Sequence, residues 1–129
     1  MPSKKILIVD DEPTVVKLVR FLLEKHDFDV RVAYGGQEGV EMAEKEMPEL
    51  ILMDIMMPKV DGNEAIRRLK ENEATREIPV IILSALGQES EVAKGLESGA
   101  MDYLVKPFNP KDLLARVRKI LEGEEKEVN

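Results

Sequence analysis

Cysteine is missing from all 129 residues. That excludes a disulfide framework and thiol chemistry, and makes a reducing cytoplasm the expected setting. Long apolar runs are missing as well. A membrane span needs roughly 18–20 consecutive apolar residues, and no stretch approaches that. Lys4 and Lys5 are basic, but the apolar stretch behind them is too short for a secretory signal and runs into acids. Positive charge is also scarce: 19 Lys and Arg against 26 Asp and Glu leave a formal charge of −7. Phosphate backbones demand a basic face, so neither nucleic acid nor a membrane is an expected partner. No linker, internal repeat or low-complexity stretch divides the chain.

What is present is a regular alternation. With 43% hydrophobic and 35% charged residues, the chain suits one globular domain with a core of its own. Five short apolar runs read as strands: Lys5–Val9, Asp29–Tyr34, Leu50–Met53, Val80–Leu83 and Tyr103–Val105. Most are continuous aliphatic stretches, as expected of parallel strands covered on both faces. The second, DVRVAY, alternates polar and apolar, which suits an edge strand.

Helical segments lie between the strands. PTVVKLVRFLLEKH places Pro13 at its start, where a missing N–H costs nothing. GQEGVEMAEKEM puts Val40, Ala43 and Met47 on one face, and GNEAIRRLKEN does so with Ala65, Ile66 and Leu69. NPKDLLARVRKILE has Asn109 as N-cap and Leu113, Leu114, Val117, Ile120 and Leu121 as its buried stripe. The weakest helix is QESEVAKGLES, with Val92, Ala93 and Leu96 as its apolar face, Gly95 inside it and Gly99 as the capping glycine. Five strand–helix units give an α/β fold, a parallel sheet of five strands with right-handed crossovers, (βα)5. The domain is expected over 1–122, with 123–129 an acidic flexible tail.

In an open parallel sheet, ligands bind outside the carboxyl ends of the strands. The first strand there presents Asp10, Asp11 and Glu12, the third Asp54, the fourth Ser84, and the fifth Lys106. Carboxylates about 5 Å apart at an effective dielectric near 20 repel by roughly 3 kcal/mol. Such a group either holds a proton or binds a cation. All-oxygen ligation without Cys or His favours a hard ion such as Mg²⁺. A cation beside a carboxylate, a lysine and a hydroxyl is a phosphoryl-transfer arrangement, with Asp54 the best-placed nucleophile and Asp10 and Asp11 better suited as metal ligands.

IVDDEP, LILMDIMMPKVDG, VIILSA and YLVKPF, in this order and spacing, resemble the response regulator receiver domains of two-component signalling. The resemblance runs from Lys4 to about Leu121 and implies a doubly wound sheet in the flavodoxin-like strand order 2-1-3-4-5. It implies that Asp54 is phosphorylated by the phosphohistidine of a sensor histidine kinase or phosphotransfer protein, giving an aspartyl phosphate. Mg²⁺ would be held by Asp11, Asp54 and the backbone carbonyl of Met56, with Asp10 acting through water. Lys106 would pair with the phosphoryl group and Ser84 would hydrogen-bond it, while Tyr103 would turn inward as the switch aromatic. The Lys106–Pro107 peptide bond would be cis. The altered surface would be the fourth helix, fifth strand and fifth helix. Its reader would be a downstream effector, an output domain, or a second copy in a phosphorylation-dependent dimer.

Duller readings stand beside these. A single Asp between strand and helix is commonly a cap, Ser84 could begin a helix, and Lys106 alone could be a surface charge. Tyr103 could be edge-strand packing, Asp61-Gly62 is a turn without chemistry, and His26 suits a helix C-terminus. Gly35, Gly36 and Gly39 follow the wrong strand for a dinucleotide fingerprint. The alternative activity is a Mg²⁺-dependent aspartate-nucleophile phosphohydrolase, which needs a D-x-D pattern after a strand. Met56 stands two residues beyond Asp54, and Glu12 followed by Pro13 stands two beyond Asp10. The chain is therefore read as no enzyme beyond its own phosphorylation and dephosphorylation. It suits either a stand-alone receiver or part of a longer regulator.

Overall fold

The structure, a computed structural model, describes residues 3–128, with side chains as far as Glu122. Its strands are β1 (Lys5–Val9), β2 (Asp29–Ala33), β3 (Leu50–Asp54), β4 (Val80–Ala85) and β5 (Asp102–Lys106). Its helices are α1 (Pro13–Lys25), α2 (Gly36–Glu46), α3 (Gly62–Glu71), α4 (Glu89–Glu97) and α5 (Pro110–Val128). All strands pair in parallel in the order β2-β1-β3-β4-β5, the flavodoxin-like order expected. The acidic tail expected at 123–129 falls outside the residues whose side chains are described.

The aliphatic runs of the central strands serve both faces of the sheet. Ile6, Ile8, Leu50, Leu52, Ile81 and Leu83 pack against α1 and α5. Leu7, Val9, Ile51, Met53, Val80 and Ile82 pack against α2, α3 and α4. All are fully buried, and each such side chain contributes roughly 1.5–3 kcal/mol relative to exposure. The alternating β2 is an edge, as its pattern suggests, and β5 is the other.

The strands differ from expectation at their ends, where the chemistry lies. β3 extends to Asp54, β4 to Ser84 and Ala85, and β5 to Lys106, because the ladder continues through Asp54↔Leu83, Ser84↔Val105 and Ala85↔Lys106. These polar residues are strand members, which fixes their directions more tightly than a loop would. β2 stops one residue early, and the Tyr34 N–H donates instead to Glu38 Oε1 of α2 at 2.9 Å.

Two helix faces are also corrected. Met47 is 47% exposed, because α2 ends at Glu46 and Met47 turns into the left-handed region at φ 47°. On α4, Ala93 is exposed and Leu96 partly so, and the buried positions are Val92 and Gly95. A Cβ on Gly95 would stand 2.4 Å from Ile82 Cδ1 and 2.9 Å from Asn63 Oδ1, so this glycine lets α4 sit down on the sheet. Ser98 closes α4 and Gly99 follows at φ +122°, while Asn109 caps α5 by accepting from the Lys111 N–H at 2.8 Å.

Candidate functional site

Asp10 continues β1 by one residue, its N–H donating to the Ala33 carbonyl at 3.1 Å. Its carboxylate is fully buried, and Oδ1 accepts from the Glu12 N–H at 3.0 Å, closing the turn into α1. This bond shapes the turn ahead of α1 and is not a helix cap, since Glu12 is the N-cap residue and no side chain caps the first turn. Asp54 ends β3 with its side chain 6% exposed. Lys106 ends β5, and its side chain reaches past β4 towards both acids.

The Lys106 ammonium lies 2.9 Å from Asp10 Oδ2, 3.0 Å from Glu12 Oε1 and 3.4 Å from Asp54 Oδ1. The contact with Asp10 Oδ2 is the shortest of the three and pairs a fully buried carboxylate with the ammonium. One carboxylate oxygen from each of Asp10, Glu12 and Asp54 lies within 4.8 Å of the others. The expected ligand Asp11 is not among them: its side chain is exposed, and the turn brings Glu12 in instead. In the sequence Glu12 is only one of a run of three acids, and it is its contact with Lys106 that singles it out in the structure.

One ammonium cannot neutralise three carboxylates. Burial first, and the Asp10 charge second, push the Asp54 carboxyl up to about 7, against the opposing pull of Lys106. Burial alone would lower Lys106, but Asp10, Glu12 and Asp54 outweigh it and hold the ammonium above the ordinary lysine range. The site is short of positive charge and carries a buried carboxylate that would react as a nucleophile once ionised.

The other expected residues surround this group. Ser84 is buried, and its hydroxyl is directed at the Leu104 carbonyl of β5 at 3.5 Å, the limit of a hydrogen bond. Tyr103 is 42% exposed on β5. Between them lies a cavity of about 200 Å³ lined by Ser84, Leu86, Val92, Leu96, Tyr103 and Val105. Met56 and Leu86, two residues beyond Asp54 and Ser84, are 49% and 81% exposed. The Lys106–Pro107 bond is cis. His26 closes α1 at the opposite end of the sheet, its Nδ1 3.4 Å from Arg118 Nη2.

The Asp61-Gly62 turn has more to do than the sequence indicated. Asp61 caps α3, its side chain accepting from the Glu64 N–H at 2.9 Å. The Gly62 N–H donates to the Ile55 carbonyl at 2.9 Å. A Cβ on Gly62 would stand 2.3 Å from the Asp54 carbonyl oxygen and 2.7 Å from Ile55 Cα. The first turn of α3 thus rests directly on the backbone that carries Asp54. An Asp-Gly pair ahead of an amphipathic helix was the available signal.

Residues 6–118 match the family model described as response regulator receiver domain. Among characterised relatives, the DNA-binding dual master transcriptional regulator RpaA of Synechocystis sp. is 46% identical over 117 residues, 91% of this chain and 48% of the relative. The alkaline phosphatase synthesis transcriptional regulatory protein PhoP of Bacillus subtilis is 42% identical over 123 residues, 95% of this chain and 50% of the relative. The chain thus spans about half the length of these relatives. Among solved structures, a putative response regulator from Chloroflexus aurantiacus superposes with a TM-score of 0.88 at 35% identity, covering 92% of this chain and 98% of that one. The Vibrio cholerae chemotaxis protein CheY4 does so with 0.85 at 28% identity, covering the same shares. With that match, that fold and an acidic pocket at the ends of β1 and β3, the chain belongs to the response regulator receiver domains of two-component signalling.

Proposed function

We propose that this receiver accepts a phosphoryl group on Asp54 from the phosphohistidine of a sensor histidine kinase or phosphotransfer protein, with Mg²⁺ as cofactor. One observation carries the reading: a buried Asp54, raised to about 7, with the Lys106 ammonium 3.4 Å from its oxygen at the end of a central strand. The Asp54 carboxylate attacks phosphorus, the P–N bond to the imidazole breaks, and an aspartyl phosphate forms. Lys106 pairs with the incoming oxygens. Ser84 turns from the Leu104 carbonyl to hydrogen-bond them, and Tyr103 moves into the cavity of about 200 Å³ beside Ser84.

The residues fit a hard divalent ion. Their donors are all oxygens, and the Lys106 ammonium is one cation set against three clustered carboxylates. Asp54 and the Met56 carbonyl would hold the ion directly and Asp10 through water, with Glu12 already within reach and Asp11 joining them once its exposed side chain turns inward. When bound, the ion supplies positive charge for the phosphoryl oxygens that Lys106 alone cannot balance.

Phosphorylation adds about −1.5 to −2 charges at Asp54 and biases a two-state equilibrium read out on the α4-β5-α5 surface. The reader is an effector, an output domain or a second copy of the chain. Both relatives named above are transcriptional regulators, so a transcriptional output fits. The receiver itself, at −7, stays off nucleic acid. Among the described residues no helix is long and apolar enough to cross a membrane. Incubation with acetyl phosphate and Mg²⁺ tests the proposal by mass. One added phosphoryl group, abolished by Asp54→Asn and by chelation of the metal, is expected. No gain, or a gain that survives Asp54→Asn, rejects it.

A further inference from the structure

Two donors stand at the end of β4, and both are occupied by acceptors within the chain. The Ser84 hydroxyl is directed at the Leu104 carbonyl at 3.5 Å. The Ala85 N–H donates to Gln88 Oε1 at 2.7 Å, a much better bond. Gln88 is half-buried, although Ala85, Leu86, Gly87 and Glu89 around it are exposed, so its side chain is turned back into the loop. It does so from the N-cap position of α4, where it makes no side-chain bond to the first turn of that helix. A residue at this position normally spends its side chain on the unpaired N–H groups of the helix. Here the side chain ties the end of β4 to the beginning of α4.

We propose that Gln88 is a latch. By holding the Ala85 N–H it keeps the end of β4, and with it the neighbouring Ser84 hydroxyl, parked against β5. Ser84 can reach a phosphoryl group on Asp54 only as the latch opens, and the opening frees the first residue of the α4 segment to move with it. Gln88 is thus a positioning residue that couples the phosphoacceptor site to the shortest helix of the fold. This rests on the phosphoacceptor reading of Asp54, but the contact itself does not.

Gln88→Met keeps the length of the side chain and removes its acceptor. In the unphosphorylated, metal-free protein, hydrogen exchange at the Ala85 amide is expected to accelerate about five-fold, the equilibrium worth of one neutral hydrogen bond. The rate at which acetyl phosphate and Mg²⁺ load Asp54 is expected to rise by a similar factor. Gln88→Glu retains an acceptor and is expected to restore protection of the Ala85 amide. Unchanged exchange in Gln88→Met, faster exchange with unchanged or slower loading, or no restoration by Gln88→Glu would each overturn the latch while leaving the phosphoacceptor reading intact. An unsubstituted protein that takes up no phosphoryl group would sink both.

Discussion

A carboxyl raised from an ordinary value of 3.8 to about 7 keeps its proton in the folded chain over a range where the unfolded chain has released it. Across that range the folded state binds more protons, so the Asp54 contribution makes stability fall as pH rises, and it is level on either side. Asp54→Asn removes the cost of burying a second charge beside Asp10. Without metal, the variant is expected to be more stable than the parent at about pH 7.5 by roughly 1–3 kcal/mol, with the gap closing towards about pH 4. Urea unfolding at both pH values measures it, and a gap of the same size at each would contradict the raised carboxyl. Met56 and Leu86 make a second residue-scale case. Both are apolar, exposed and unable to orient a water molecule, so the aspartyl phosphate is expected to be long-lived. Met56→Asn should hasten its loss several-fold, read as decay of the phosphorylated mass once acetyl phosphate is removed; an unchanged decay rate would discard the idea. Asp54, Ser84 and Lys106 were legible in the sequence because chemistry-bearing side chains stood where apolar runs ended. Gln88 was not, because its direction is set by a single hydrogen bond to the Ala85 backbone, and Glu12 was legible only as one of three acids until its contact with Lys106 singled it out.

At the scale of elements, periodicity located every strand and helix and placed the ends less well. Polar residues were read as loop although the ladder runs on through Asp54, Ser84 and Lys106. Faces failed where backbone shape overrode pattern: Met47 leaves its helix, and Gly95, not Ala93 or Leu96, joins Val92 on the buried face of α4. The contact between α3 and β3 was invisible because glycine carries no side chain to announce it. Gly62→Ala forces a methyl group against the backbone of Asp54 and Ile55, and backbone there cannot yield as a side-chain tip can. The variant is expected to lose about 1–3 kcal/mol. Because the displaced atoms carry Asp54, the proposed phosphoacceptor, its loading by acetyl phosphate should also fall. Thermal unfolding and loading measured on one preparation test both, and a variant that loses neither would show that the helix shifts freely.

For the whole molecule, the excess of acids is general but its consequences gather at one rim. Lys106 leaves the cluster of Asp10, Glu12 and Asp54 short of positive charge, so a divalent ion should stabilise the fold by mass action. Mg²⁺ at about 100 times its dissociation constant adds about 2.7 kcal/mol. Melting temperature should therefore climb with Mg²⁺ in the parent and much less in Asp54→Asn; curves that coincide with and without Mg²⁺ would argue against a metal at these acids. The doubly wound order itself was reached from the resemblance, since spacing alone gives the alternation of elements and not which strands are neighbours. β5 has a ladder on one side only, and its last residue is fastened inward by Lys106 to acids at the ends of β3 and β1. The border of the sheet is in this way moored to its middle by one cation, and any reaction that changes the charge in the middle retensions the border.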